Sequence, residues 1–161
     1  SCRRELDLEL SDCENKAPAV ALGLALAQPQ RRVLVLDSGS ALRTNLSGLV
    51  TVATAAPENL VHFLYEEAID GPANGDFGPG FYRVSYRALA EGAGYAASYR
   101  FEGLEDLLIG LEEAMVGPGP TFVSLSVAPS WRPSTSTASP MAESALAVKQ
   151  ALEHPTEPLG R

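Results

Sequence analysis

Two short polar stretches follow apolar runs in this chain, and both could bind an anion or a metal ion. Asp37-Ser38-Gly39-Ser40 follows the run 32–36, and Glu66-Glu67 follows the run 60–65. Small residues let backbone N–H groups approach an anion, and carboxylates are ligands that Mg²⁺ prefers. If the two runs are neighbouring parallel strands, both polar stretches lie at the same edge of the sheet. The spacing therefore predicts a candidate anion or metal site at that edge.

The elements around these stretches indicate one α/β domain. Four apolar runs have the length and composition of buried strands: 32–36, 60–65, 95–99 and 121–127. Five segments have helical composition or spacing: 17–28, 41–55, 86–93, 102–116 and 142–153. Helices that alternate with strands predict a three-layer sandwich with a central, mainly parallel sheet of about five or six strands. A further short strand is expected at 6–10.

The segment 102–116 shows the clearest helical periodicity. Five apolar residues recur on one face and are predicted to pack inward: Leu104, Leu107, Leu108, Leu111 and Met115. Glu112 and Glu113 are expected on a solvated face. Residues 1–128 are predicted to form the α/β domain, and 129–161 to form a Pro/Ser/Thr-rich connector with a C-terminal helix packed on that domain.

Composition excludes several classes of function. The net charge is −8 and no basic patch stands out, which argues against nucleic acid as a partner. The most apolar stretch, 17–27, is too short to span a bilayer. The two cysteines, Cys2 and Cys13, are expected to be free thiols in a reducing, cytoplasmic setting. No Cys/His cluster predicts a zinc site.

Nucleophilic catalysis is disfavoured. Ser38 and Ser40 have no acid–base partner nearby in sequence, and no G-x-S-x-G motif is present. His62 lies inside a predicted strand, where a packed histidine is more common than a catalytic one. No residue of the chain is therefore assigned a catalytic role.

Two further motifs extend the candidate site into a longer pattern. The turn at 37–40 is followed by Asn45-Leu46-Ser47-Gly48-Leu49-Val50-Thr51 and then by Pro57-Glu58-Asn59-Leu60. The whole stretch 33–67 resembles the diphosphate-binding domain of thiamine-diphosphate enzymes, in particular phosphonopyruvate decarboxylases and the sulfopyruvate decarboxylase β subunit. Four further segments resemble the same family more weakly: 21–29, 88–95, 117–122 and 132–135 with Pro140. The resemblance implies the three-layer fold of that domain.

The resemblance also implies a cofactor, thiamine diphosphate with Mg²⁺. The diphosphate would be held by four residues: Ser38, Gly39, Ser40 and Asn45. In a gap-free alignment, however, the Asp that binds the metal in the family falls on Gly39. The Asn that follows the second strand falls on Glu67, and a backbone carbonyl ligand falls on Ile69.

Two residues could replace the lost acid at the metal. Glu67 could supply a carboxylate, or Asp37 could do so if the alignment shifts by two residues; the Ile69 carbonyl would complete the protein ligands. Glu66 adds a negative charge. Without a metal in between, it would repel a diphosphate by about 4 kcal/mol at about 4 Å and an effective dielectric of about 20.

The resemblance implies that this chain works with a partner. In the family, the catalytic Glu comes from a pyrimidine-binding domain, which this sequence does not contain. The chain is thus expected to be a subunit or domain of a thiamine-diphosphate-dependent 2-oxoacid decarboxylase, in a homo- or hetero-oligomer with a pyrimidine-type domain. The alternative is a non-catalytic homologue that has lost cofactor and metal binding and acts as a structural or regulatory subunit.

Overall fold

A computed structural model describes residues 4–10, 13–67, 84–127 and 140–153, without the side chains of Glu14 and Glu67. The contacts within the chain divide it into two compact units. One unit is residues 15–131, and the other is residues 1–14 with 132–161. The candidate site belongs entirely to the first.

A parallel sheet forms the centre of the larger unit. Its four described strands are β1 (Val33–Ser38), β2 (Leu60–Glu67), β3 (Ala97–Phe101) and β4 (Thr121–Val127). They are hydrogen-bonded in the order β1-β2-β4-β3, and every pair is parallel. The α/β prediction is confirmed, although the described sheet has four strands rather than five or six.

Five helices surround this sheet: α1 (Ala17–Ala27), α2 (Gly39–Arg43), α3 (Ser47–Ala55), α4 (Tyr86–Ala93) and α5 (Leu104–Val116). The helix predicted over 41–55 is in fact two helices, α2 and α3. The break between them falls at Asn45, whose amide Nδ2 donates to the Asn15 carbonyl instead of facing solvent along a helix. Among the described residues, no helix is both long and apolar enough to cross a membrane.

The helices cover both faces of the sheet. α5 packs on the face that carries Val61, Phe63 and Val123. α1 packs along β1 and covers the opposite face. On β1, Val35 lies on this opposite face and is buried, whereas Leu34 and Leu36 lie on the same face as Val61 and Phe63 and are exposed. Side chains alternate between the faces along each strand, so the buried residues Asp37 and His62 lie on the α1 side.

The inward face predicted for α5 is only partly correct. Leu107, Leu111 and Met115 pack against the core cluster, as expected. Leu104 and Leu108 are 69% and 68% exposed, respectively, so their predicted burial is wrong. The apolar stripe of α5 is wider than the strip of sheet beneath it, which leaves these two leucines on its flank. Glu112 and Glu113 are exposed, as predicted.

The described residues of the smaller unit form a 3-10 turn at Arg4–Leu6 and a helix, α6 (Met141–Glu153), which contact each other. The Glu9 backbone N–H donates to Ser144 Oγ at 3.2 Å. The strand predicted at 6–10 is wrong, because this segment meets a helix and, among the described residues, has no neighbouring strand with which to form a ladder. Cys13 is a free thiol, as predicted; Cys2 lies outside the described residues.

Candidate functional site

The ends of β1 and β2 meet, as the sequence predicted. The two strands are parallel neighbours, and Ser38 pairs with Tyr65 at the carboxyl ends. The turn that follows β1 therefore lies beside Glu66 and Glu67, the last residues of β2. This edge of the sheet is the candidate site.

The turn after β1 is ordered by its own serines. Ser38 is the N-cap of α2, and its Oγ accepts a hydrogen bond from the Ala41 backbone N–H at 3.2 Å. Ser38 Oγ also lies 3.0 Å from Ser40 Oγ. A serine in this position satisfies one of the N–H groups that a helix start leaves without an intrahelical partner. The serines of the turn thus bond to groups within the turn itself.

Asn45 is engaged within the protein. Its Nδ2 donates to the Asn15 carbonyl at 2.7 Å, and its Oδ1 accepts from Ser47 Oγ at 2.8 Å. These two bonds fix the junction between α2 and α3. Each bond uses one of the two donors or acceptor sites of its atom, and a role of Asn45 in diphosphate binding stays a prediction.

The carboxylate of Asp37 points into the protein core. Its side chain is 2% exposed, and Oδ2 lies 3.4 Å from Nε2 of the fully buried His62. Its Oδ1 accepts from the Ser38 backbone N–H at 2.8 Å. His62 Nδ1 lies 3.2 Å from the Tyr95 hydroxyl, and its ring packs edge-on against Phe122. The prediction of a packed His62 is confirmed.

The buried residues Asp37, His62 and Tyr95 are in contact with one another, and Asp37 also contacts the turn after β1. Burial, together with the Asp37 carboxylate, raises the pKa of Tyr95 above its ordinary range, so its hydroxyl stays protonated. Asp37 is held between His62 and the backbone of the candidate site. The Asp37 carboxylate thus contacts both the His62 ring and the backbone of the turn, and its role as a metal ligand stays a prediction.

Tyr86, the first residue of α4, lies against the turn. Its hydroxyl donates to the Gly39 carbonyl at 3.0 Å. Burial raises the pKa of Tyr86; Arg43 opposes this shift and Glu66 reinforces it. The hydroxyl therefore remains a donor near neutral pH. The sequence analysis missed this residue, because a tyrosine at the start of a helix carries no motif.

The described part of the site contains no cluster of side-chain metal ligands. No three His, Cys, Asp or Glu side chains within the described ranges lie close enough together to hold a metal ion. Gly39 has no side-chain ligand, and Asp37 faces His62. Of Glu67 only the backbone is described, and Ile69 lies outside the described residues.

Sequence comparison relates the chain to decarboxylases. No family model matches. The chain is 36% identical over 113 residues to phosphonopyruvate decarboxylase of Streptomyces hygroscopicus, which covers 70% of this chain and 28% of that protein. It is 34% identical over 116 residues to sulfopyruvate decarboxylase subunit beta of Methanothermobacter thermautotrophicus, covering 70% of this chain and 57% of that subunit. The chain thus spans less than two thirds of either relative.

Structure comparison agrees with this relationship. The fold matches the thiamine diphosphate-dependent 4-hydroxybenzoylformate decarboxylase of Rhodococcus jostii RHA1 with a TM-score of 0.58 and 19% identity. The match covers 73% of this chain and 24% of that enzyme. The predicted resemblance is confirmed: the chain is related in sequence to phosphonopyruvate decarboxylases and to the sulfopyruvate decarboxylase β subunit, and it has the fold of a domain of thiamine diphosphate-dependent enzymes.

Proposed function

We propose that this chain is a subunit or domain of a thiamine-diphosphate-dependent 2-oxoacid decarboxylase. The relationship to phosphonopyruvate and sulfopyruvate decarboxylases is the observation that carries the proposal. The diphosphate would bind at Ser38, Gly39 and Ser40, where the turn consists of small residues at the carboxyl edge of the sheet. Asn45 would support the turn from behind, through the α2–α3 junction.

The metal would depend on the end of β2. Because Asp37 is held by His62, the proposal leaves Glu67 and the Ile69 carbonyl as the protein ligands for Mg²⁺. Oxygen donors of this kind are those that Mg²⁺ prefers.

The proposed assembly includes a partner. The chain spans 28% of one relative, and another relative is named as a subunit. We therefore propose a homo- or hetero-oligomer in which a second domain, of the pyrimidine-binding type, completes the site. Four exposed leucines of the larger unit offer apolar surface for such an interface: Leu34, Leu36, Leu104 and Leu108.

A second candidate function is a non-catalytic partner subunit. One observation favours it: at the position where the resemblance requires a carboxylate, Gly39 has none, and the Tyr86 hydroxyl is bonded to its carbonyl. Such a subunit would keep the fold and the interface but would not bind the cofactor.

Cofactor binding separates the two candidates. Under the enzyme proposal, isothermal titration of thiamine diphosphate and Mg²⁺ into the full chain with its pyrimidine-type partner should show saturable binding. Ser40→Asp should weaken this binding roughly a thousandfold, because it adds a negative charge within about 4 Å of a diphosphate. Thr51→Asp is the matched control, since Thr51 is exposed on α3, away from the turn. No binding by the unmodified assembly would exclude the enzyme and leave the non-catalytic subunit.

A further inference from the structure

Gly39 is not required by the backbone conformation. Among the described glycines, only Gly94 has a positive φ, of 105°. Gly39 is the first residue of α2 and lies in a region of φ and ψ that any residue adopts. A glycine at this position is therefore explained by its surroundings rather than by its φ angle.

Tyr86 fills the space beside Gly39. A Cβ at position 39 would lie 3.3 Å from the Tyr86 hydroxyl oxygen, 3.5 Å from Tyr86 Cε2 and 3.6 Å from the Tyr65 carbonyl oxygen. Alanine would fit after a shift of a few tenths of an ångström. The tightest of these contacts is with the hydroxyl, so a larger side chain at position 39 would crowd the Tyr86 hydroxyl oxygen first.

The same hydroxyl ties the turn to the helix behind it. It donates to the Gly39 carbonyl, and this bond joins the end of β1 to the start of α4. Tyr86 is 6% exposed, and its raised pKa keeps it uncharged. A neutral hydroxyl can join these elements without a cation, even though Glu66 lies close enough to influence its pKa.

We infer that Tyr86 disfavours a carboxylate ligand for a divalent cation at position 39, because its hydroxyl already occupies the space that a side chain there would enter. Tyr86 acts here as a positioning residue that holds the turn to α4 in place of a metal bridge. The inference rests on the proposed function in one respect: it takes position 39 as the counterpart of the metal ligand in the related enzymes.

Thermal unfolding of a mutant cycle tests this crowding. Gly39→Asp and the uncharged Gly39→Asn should each lower Tm by at least about 4 °C in the unmodified protein. In a Tyr86→Phe background, which lacks the hydroxyl, each should lower Tm by clearly less. Gly23→Asp is the matched control, because a Cβ at Gly23 meets nothing within 4 Å. Equal losses in both backgrounds would overturn the inference.

Titration with Mn²⁺ alone tests the effect of Tyr86 on cation binding. Gly39→Asp combined with Tyr86→Ala should bind Mn²⁺ at least about tenfold more tightly than Gly39→Asp with Tyr86 intact, as measured by water-proton relaxation. Circular dichroism checks that each variant is folded, and Tyr86→Phe replaces Tyr86→Ala if the latter is not. Equal affinity of the two proteins would overturn the inference.

These measurements use neither thiamine diphosphate nor a partner. The cofactor titration above can therefore fail while the mutant cycle succeeds, which would leave a cation-free, non-catalytic subunit. If Gly39→Asp lowers Tm equally in both backgrounds but the cofactor binds, the proposed function is supported and the proposed role of Tyr86 is wrong.

Discussion

Replacing His62 by alanine is expected to lower the free energy of unfolding by about 3–5 kcal/mol. The side chain is fully buried, and its ring centroid lies 5.1 Å from that of Phe122. Its removal leaves a cavity and also deprives the buried Asp37 Oδ2 of the only group that the structure describes near it within ion-pair distance. A buried carboxylate without a partner is strongly destabilising. Urea unfolding followed by circular dichroism measures the loss.

An exposed ion pair is the control for this substitution. Arg87 and Glu91 lie 2.9 Å apart at i and i+4 on α4, with side chains 51% and 48% exposed. Arg87→Ala should cost no more than about 0.5 kcal/mol, because solvent screens the pair. Adding Asp37→Asn to His62→Ala should recover part of the loss, since the amide carries no charge. A cost below about 1 kcal/mol for His62→Ala would show that the pair does not stabilise the core.

Asn59→Asp is expected to be similarly damaging, at about 2–4 kcal/mol. Asn59 Nδ2 donates to three backbone carbonyls, those of Ala25 at 3.1 Å, Gln28 at 3.0 Å and Arg31 at 2.7 Å. A carboxylate cannot donate, so its oxygen would face these carbonyl oxygens at short range. The bonds join Asn59, just before β2, to the end of α1 and to the segment before β1, so their loss should loosen the amino edge of the sheet, opposite the candidate site.

Gln30→Glu is the matched control for Asn59→Asp. It makes the same amide-to-acid change one, two and five residues from Arg31, Gln28 and Ala25, but Gln30 is exposed. We expect a change within about 0.5 kcal/mol. Denaturant unfolding of the two variants at the same pH gives the comparison. Equal destabilisation would mean that added negative charge, rather than the lost donors, explains the effect of Asn59→Asp.

The position of the candidate site could be predicted because it depends on local patterns. Continuous apolar runs at 32–36 and 60–65 indicated buried strands, and parallel strands with short connections place their carboxyl ends together. The register of Ser38 with Tyr65 confirms this. The motif Pro57-Glu58-Asn59-Leu60 was recognised as a resemblance, but its physical basis, three carbonyls bound by one amide, needed the structure.

The break between α2 and α3 and the exposure of Leu104 and Leu108 could not be predicted from the sequence. Both depend on which surface lies opposite. The Asn15 carbonyl that binds Asn45 is 30 residues away in the chain, and helical periodicity cannot tell how much of an apolar stripe the sheet will cover. Local propensity is a weak guide where a distant group decides the outcome.

The amino-acid sequence by itself determined the α/β class, the neighbouring strands and the lack of an acid at position 39. Only the tertiary structure decided where the remaining polar groups point. It turned Asp37 inward to His62 and set Tyr86 against Gly39. The physical reason is that periodicity and turn chemistry act over a few residues. The partner of a buried polar side chain, by contrast, is chosen by whichever group the fold brings within about 3 Å of it.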